Sequence, residues 1–181
     1  MGIVNQAAKR GSSPPEVGIR AAGPLVAGVV LLDWITKWAI TVSMDHGAAE
    51  AVLPGFFNLV HVRNTGIAFS LFADSAPWIR NLVLPAVSVA AIIIVFAMMR
   101  DSARMPVTSR TALALVLAGA VGNLSERLLH GYVTDFLDFY AGPYHWPAFN
   151  VADSAITIGA VLLILDSLLG RHAVQEAARV A

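Results

Sequence analysis

Asp135, in Val133-Thr134-Asp135-Phe136, and Asp153, in Phe149-Asn150-Val151-Ala152-Asp153-Ser154-Ala155, flank one connection between two apolar segments. Paired carboxylates have a chemistry of their own. Two close acids do not both ionise easily, so they share a proton. The ionised one takes a proton from water while the protonated one donates to a carbonyl. Such a pair hydrolyses an amide with neither metal nor thiol. Each residue also has a plainer reading. Asp153 suits the first turn of a helix, favoured by the helix dipole with Asn150 as its cap. Asp138 competes with Asp135, and spacing does not choose between them.

Other polar side chains interrupt apolar sequence. Asp33 and Lys37 stand at i,i+4 with the acid first, the favourable order for an intrahelical pair; either could instead reach a neighbouring helix. Gly119 and Gly122 permit close helix approach, and Asn123, Glu126 and Arg127 follow them. Arg127 alone would be read as snorkelling to lipid headgroups, but the density of polar neighbours argues for a site. Other chemistries lack their residues. Cysteine is absent, which removes thiol catalysis, disulfides and cysteine-held metals. The five histidines are scattered without ligand spacing. No serine elbow or glycine-rich phosphate loop occurs.

These residues need elements to hold them. The chain of 181 residues is 57% hydrophobic and 13% charged, about half the charge of a soluble domain. Its 12 basic and 12 acidic residues cancel, so no net field draws nucleic acid. A membrane helix needs roughly 20 mostly apolar residues. Four segments qualify, at about Ala21–Met44, Trp78–Met99, Thr111–Leu129 and Val151–Leu169. The fold expected is an all-α membrane protein of four transmembrane helices with a small β-like platform on its outer side. That platform comes from the outer loop at about 45–77, where Phe56–Phe72 reads as short strands with a turn at Asn64–Gly66 and Trp78 as an interfacial anchor.

Basic residues set the direction. Lys9, Arg10, Arg20, Arg100, Arg104, Arg110, Arg171 and Arg179 fall on one side, so both termini are expected in the cytoplasm. Residues 1–20 read as a flexible cytoplasmic tail, 21–170 as the four-helix domain and 171–181 as a second cytoplasmic tail. A cleaved signal peptide at the start is disfavoured, because Asp33 and Lys37 break the apolar stretch. Asp135, Asp153 and the amides then share the outer membrane boundary. A rival reading is a small proton-coupled transporter subunit with a carboxylate relay between Asp153 and Asp166. It requires a polar stripe along the fourth span, and Ala160–Leu165 interrupts it.

Five blocks occur in order: Asp33-x-x-x-Lys37, Asn64-Thr-Gly66-Ile-Ala68-Phe69, Gly122-Asn123-Leu-x-x-Arg127, Val133-x-Asp135-Phe136 and Phe149-Asn150-x-Ala152-Asp153-Ser154-Ala155. Together they resemble the lipoprotein signal peptidases, or signal peptidase II, over about residues 25–170. The resemblance implies a four-helix membrane aspartyl peptidase that cuts prolipoproteins just before a diacylglyceryl-modified cysteine. It implies Asp135 and Asp153 as the catalytic dyad, and Asn64, Asn123, Arg127 and Asn150 as residues that hold the substrate backbone and order the site. Asp33 and Lys37 match a structural pair, and Gly66, Ala68 and Phe69 an outer loop beside the substrate. The family usually has Asp directly before the arginine; Glu126 keeps that charge with one more methylene. The resemblance further implies no cofactor and no metal. The partners implied are lipid-modified signal peptides and membrane lipids, with no nucleic acid. A monomer in the bacterial cytoplasmic membrane is expected, with its active site near the outer face.

Overall fold

Charged side chains lie inside this protein and large apolar ones outside. On the first helix Asp33 is 0% and Lys37 4% exposed, whereas Trp38 is 67% exposed. That inversion suits a lipid surround, where apolar side chains face hydrocarbon and ionisable ones need internal partners. The computed structural model describes residues 16–66, 78, 82–100 and 105–180, with side chains within 22–169. Ala68 and Phe69 lie outside the described residues.

Among the described residues four helices and four strands follow one another. They are α1 (Glu16–Ser43), β1 (Ala49–Leu53), β2 (Phe57–Asn64), α2 (Leu84–Met99), α3 (Val107–His130), β3 (Val133–Ala141), β4 (Tyr144–His145) and α4 (Val151–Val180). The first, third and fourth expected spans fall on α1, α3 and α4. Ala22–Ser43, Val107–His130 and Val151–Leu169 are long and apolar enough to cross a membrane. The second, expected at Trp78–Met99, is described only in part. α2 has 16 residues, about 24 Å of helix against a hydrocarbon core of about 30 Å. Trp78 is helical too, and residues 79–81 lie outside the described residues. Three full-length spans, not four, are therefore established.

α3 is the central helix and packs against α1, α2 and α4. Its buried face is made of small residues, among them Ala112, Ala118, Gly119 and Gly122. A Cβ at Gly119 would lie 2.2 Å from the Ala152 carbonyl oxygen, so only glycine lets α4 come this close. The helix ends at Gly131, whose φ of 77° turns the chain back toward β3.

The sheet is larger than the outer loop alone would make it, and "all-α" is too narrow a description. Its strands run β1-β2-β3-β4, all antiparallel. The first two come from the outer loop, but β3 and β4 come from the connection between α3 and α4. The hairpin turn between β1 and β2 lies at Pro54-Gly55-Phe56, with Gly55 at φ 86°, and a second turn follows at Asn64–Gly66, where the Gly66 N–H donates to Asn64 Oδ1. Asn64 ends β2. Ile40, Met44 and Phe136 form a small core that docks the sheet on the Met44 end of α1, with Leu59, Leu137 and Val151 against it.

Candidate active site

β3 carries Asp135 under the sheet at 2% exposure. Each of its oxygens accepts one amide hydrogen bond, Oδ2 from Asn64 Nδ2 at 2.9 Å and Oδ1 from Asn150 Nδ2 at 2.8 Å. Asn150 arrives there because residues just before α4 are strapped to β3. Phe149 exchanges backbone hydrogen bonds with Leu137, 2.9 and 3.1 Å long.

Asn150 is also the N-cap of α4. Its Oδ1 accepts from the Asp153 N–H at 2.9 Å, and its own N–H donates to Asp153 Oδ2 at 3.2 Å. This is a reciprocal capping box. The plain reading of Asp153 as a capping acid is therefore true, and incomplete. Its second oxygen, Oδ1, accepts from Asn123 Nδ2 of α3 at 2.8 Å. Asn150 thus touches both carboxylates, one with its side chain and one with its backbone.

Burial pushes the Asp135 carboxyl up to about 7, and the neighbouring Asp153 carboxylate adds to the rise. The Asn64 and Asn150 amides and the more distant Lys37 oppose it. Asp135 therefore exchanges its proton near neutral pH.

Behind the pair lies an ionic cluster. Lys37 Nζ is 2.8 Å from Asp33 Oδ2, 3.1 Å from Glu126 Oε2 and 2.9 Å from Asn123 Oδ1. Asp33 Oδ1 accepts from the Ala152 N–H at 2.8 Å, a carboxylate at a helix N-terminus. The Asp33–Lys37 pair is intrahelical and also reaches α3 and α4, so the two sequence readings are both satisfied. Glu126 binds Thr134 and Lys37. Arg127 instead donates from Nη2 to the Gly66 carbonyl at 2.6 Å. Gly66 in turn donates its N–H to Asn64 Oδ1 at 2.9 Å, so Arg127 steadies the turn that aims Asn64.

Asp138, the competitor, faces elsewhere. It accepts from Asn58 Nδ2 at 2.8 Å and pairs with His145 Nδ1 at 2.9 Å. A cavity of about 620 Å³ has Asp135 and Asp153 in its wall together with Asn64, Asn123 and Arg127. It extends between Ser88 and Ala91 of α2 and Thr157 and Ile158 of α4, under Trp146 and Phe149. Thr134, Ser88 and Trp146 were not singled out in the sequence. For Thr134 a signal existed: adjacent polar residues in a buried strand point to opposite faces and need separate partners.

An apolar helical bundle capped by an antiparallel sheet, with the buried Asp135 and the half-buried Asp153 in the wall of one cavity, defines a helical membrane protein with an acid-lined site. Its fold is similar to that of a bacterial membrane enzyme solved by the in meso method at 2.3 Å. The TM-score is 0.74 and the identity 31%, over 83% of this chain and 88% of that one. The family model for signal peptidase (SPase) II matches residues 25–169, and the chain belongs to that family. It is accordingly a peptidase that removes signal peptides from lipoprotein precursors.

Similar proteins agree. The lipoprotein signal peptidase of Paraburkholderia phymatum is 44% identical over 87% of this chain and 90% of its own. That of Solibacter usitatus is 41% identical over 85% and 93%, and that of Cupriavidus taiwanensis 49% identical over 77% and 78%. Family membership overturns the proton-coupled transporter alternative. The inner end of the supposed relay is also engaged elsewhere, since Asp166 accepts a hydrogen bond from Ser109 of α3.

Proposed function

We propose that Asp135 and Asp153 are the catalytic pair of this peptidase and cleave the bond just before a diacylglyceryl-modified cysteine. The observation that carries this is the single residue Asn150 bonded to both carboxylates, at 2.8 and 3.2 Å, in the wall of one cavity. One aspartate is ionised and takes a proton from water as the water attacks the scissile carbonyl carbon. The other gives its proton to the carbonyl oxygen. As the tetrahedral intermediate collapses, the C–N bond breaks and a proton passes to the departing cysteine nitrogen.

Asn64, Asn123 and Asn150 hold the acids by donor bonds and fix their orientation. Arg127 holds the Gly66 turn, and Ala68 and Phe69, which follow it in the sequence, match the family's loop beside the substrate. The apolar reach of the cavity between α2 and α4 accommodates the signal-peptide segment, with its lipid toward the surrounding membrane. The substrate is itself membrane-bound, so a monomer with a site at the outer boundary can reach the scissile bond while water reaches it from outside. The chain crosses the cytoplasmic membrane four times in this reading. α2 is the short crossing, and both termini and the two tails, 1–20 and 171–181, are cytoplasmic. The excess of Lys and Arg at those ends supports this direction.

The test is cleavage of a lipid-modified precursor in detergent. Asp135→Asn and Asp153→Asn should each lower turnover by about 10³-fold or more while the protein still inserts and binds substrate. Full activity in either purified variant would falsify the assignment.

A further inference from the structure

Thr134 stands next to Asp135 on β3 and is 1% exposed. Adjacent residues of a strand point to opposite faces, so Thr134 turns away from the cavity when Asp135 faces it. Glu126 meets it there. This α3 side chain accepts from the Thr134 hydroxyl at Oε1, 2.6 Å away, and from the Thr134 backbone N–H at Oε2, 3.0 Å away. Two bonds to one residue fix the rotation of the strand about its own axis, which a single bond leaves free. Oε2 is also held by Lys37 at 3.1 Å. Lys37 binds Asn123 Oδ1 at 2.9 Å, and Asn123 donates to Asp153 at 2.8 Å. One buried ammonium therefore anchors both acids through separate arms, Glu126–Thr134 to Asp135 and Asn123 to Asp153.

We propose that Thr134, gripped by Glu126, is a positioning residue that sets the angle at which Asp135 enters the site. The proposal rests on Asp135 being catalytic. It assigns Glu126 a mechanical task that a residue bonded to Arg127 would not have. Glu126 is not among the residues that line the cavity; it acts on Asp135 through the strand and also holds Lys37. Its removal should therefore impair the chemical step and leave substrate binding intact. A misplacement of the order of an ångström costs up to about 100-fold in rate.

The experiment compares kcat and KM for Glu126→Ala, Glu126→Asp, Thr134→Val and Glu126→Ala/Thr134→Val on a lipidated precursor peptide in detergent. Asp135→Asn runs beside them. Glu126→Ala should lose about 10- to 100-fold in kcat with KM unchanged. Glu126→Asp should recover most of it, because the charge returns beside Lys37. Thr134→Val, which loses only the hydroxyl bond, should lose about 3- to 5-fold in kcat. The double variant should be no worse than Glu126→Ala alone, as for two residues in one contact.

A pH profile separates positioning from mere loss of folded enzyme. Loosened amide bonds to Asp135 should move the limb that it governs to higher pH, whereas fewer folded molecules only scale the curve. Three results would overturn the proposal: an unchanged kcat in Glu126→Ala, a loss confined to KM, or additive effects in the double variant. If Glu126→Ala does not accumulate, Thr134→Val decides alone, and parental kcat there overturns it. Substantial turnover by Asp135→Asn would instead overturn the catalytic assignment, and this proposal with it. An inactive Asp135→Asn beside a normal Glu126→Ala would overturn only the positioning role.

Discussion

At the scale of the residue, Asp135 is a carboxyl placed against its own preference. Its rise from 3.8 to about 7 means that the folded state binds a proton that the unfolded state releases between those values. The sign follows: this group lowers stability as pH climbs through that window, by a few kcal/mol at most. Asp135→Asn removes the charge and keeps the shape. The inactive variant should therefore melt higher than the parent at pH 8 and about equal to it at pH 4, by thermal unfolding in detergent. A parent equally stable at both, relative to the variant, would contradict the raised value. Asp138→Asn should by contrast retain most activity in the cleavage assay, since Asp138 serves Asn58 and His145. Spacing left these two aspartates open because it gave no strand. Once β3 is known to be a strand, residues three apart lie on opposite faces, and only one of them can face the cavity.

At the scale of the element, one irregularity aligns the site. Asn58 pairs with Asp138 and Leu59 with Leu137, yet Val62 pairs with Asp135. Val60 and His61 thus oppose the single Phe136, a β-bulge that shifts every later residue of β2 to the other face. Asn58 and Asn64 would share a face on a regular strand; here one meets Asp138 and the other Asp135. Nothing in the residue types announces that step. β3 itself was hidden for a different reason. Its first four residues are all buried, so the alternation that marks a half-exposed strand is missing. The helix contacts, in contrast, were legible in Gly119 and Gly122. Gly119→Ala drives a methyl into the Ala152 carbonyl, one residue from Asp153. It should cost about 1–3 kcal/mol of stability and lower kcat, because α4 must retreat with its acid. Gly28→Ala, with nothing within 4 Å of the added carbon, is the matched control and should be near neutral by melting temperature and turnover.

At the scale of the whole molecule, charge placement and packing carry one argument. Apolar runs made three full-length helices readable, and the Lys and Arg at their ends support the proposed direction. The same rule cannot see that the sheet takes two strands from each side of α3, because that depends on contacts between distant segments. The proposed topology makes a prediction about the assembled parts. The sheet docks on the Ile40–Met44 end of α1, so sheet and acids share one side of the bundle. In the proposed topology the tails rich in Lys and Arg lie in the cytoplasm. The chain has no cysteine, so any cysteine introduced is the single label site. Val52→Cys, on the exposed strand β1, should react with a membrane-impermeant maleimide in intact spheroplasts. Ser12→Cys should react only after permeabilisation. Labelling of Ser12→Cys from outside, or protection of Val52→Cys there, would turn the molecule over in the membrane. It would then place the carboxylates on the cytoplasmic side, away from a lipid-modified cleavage site at the outer face.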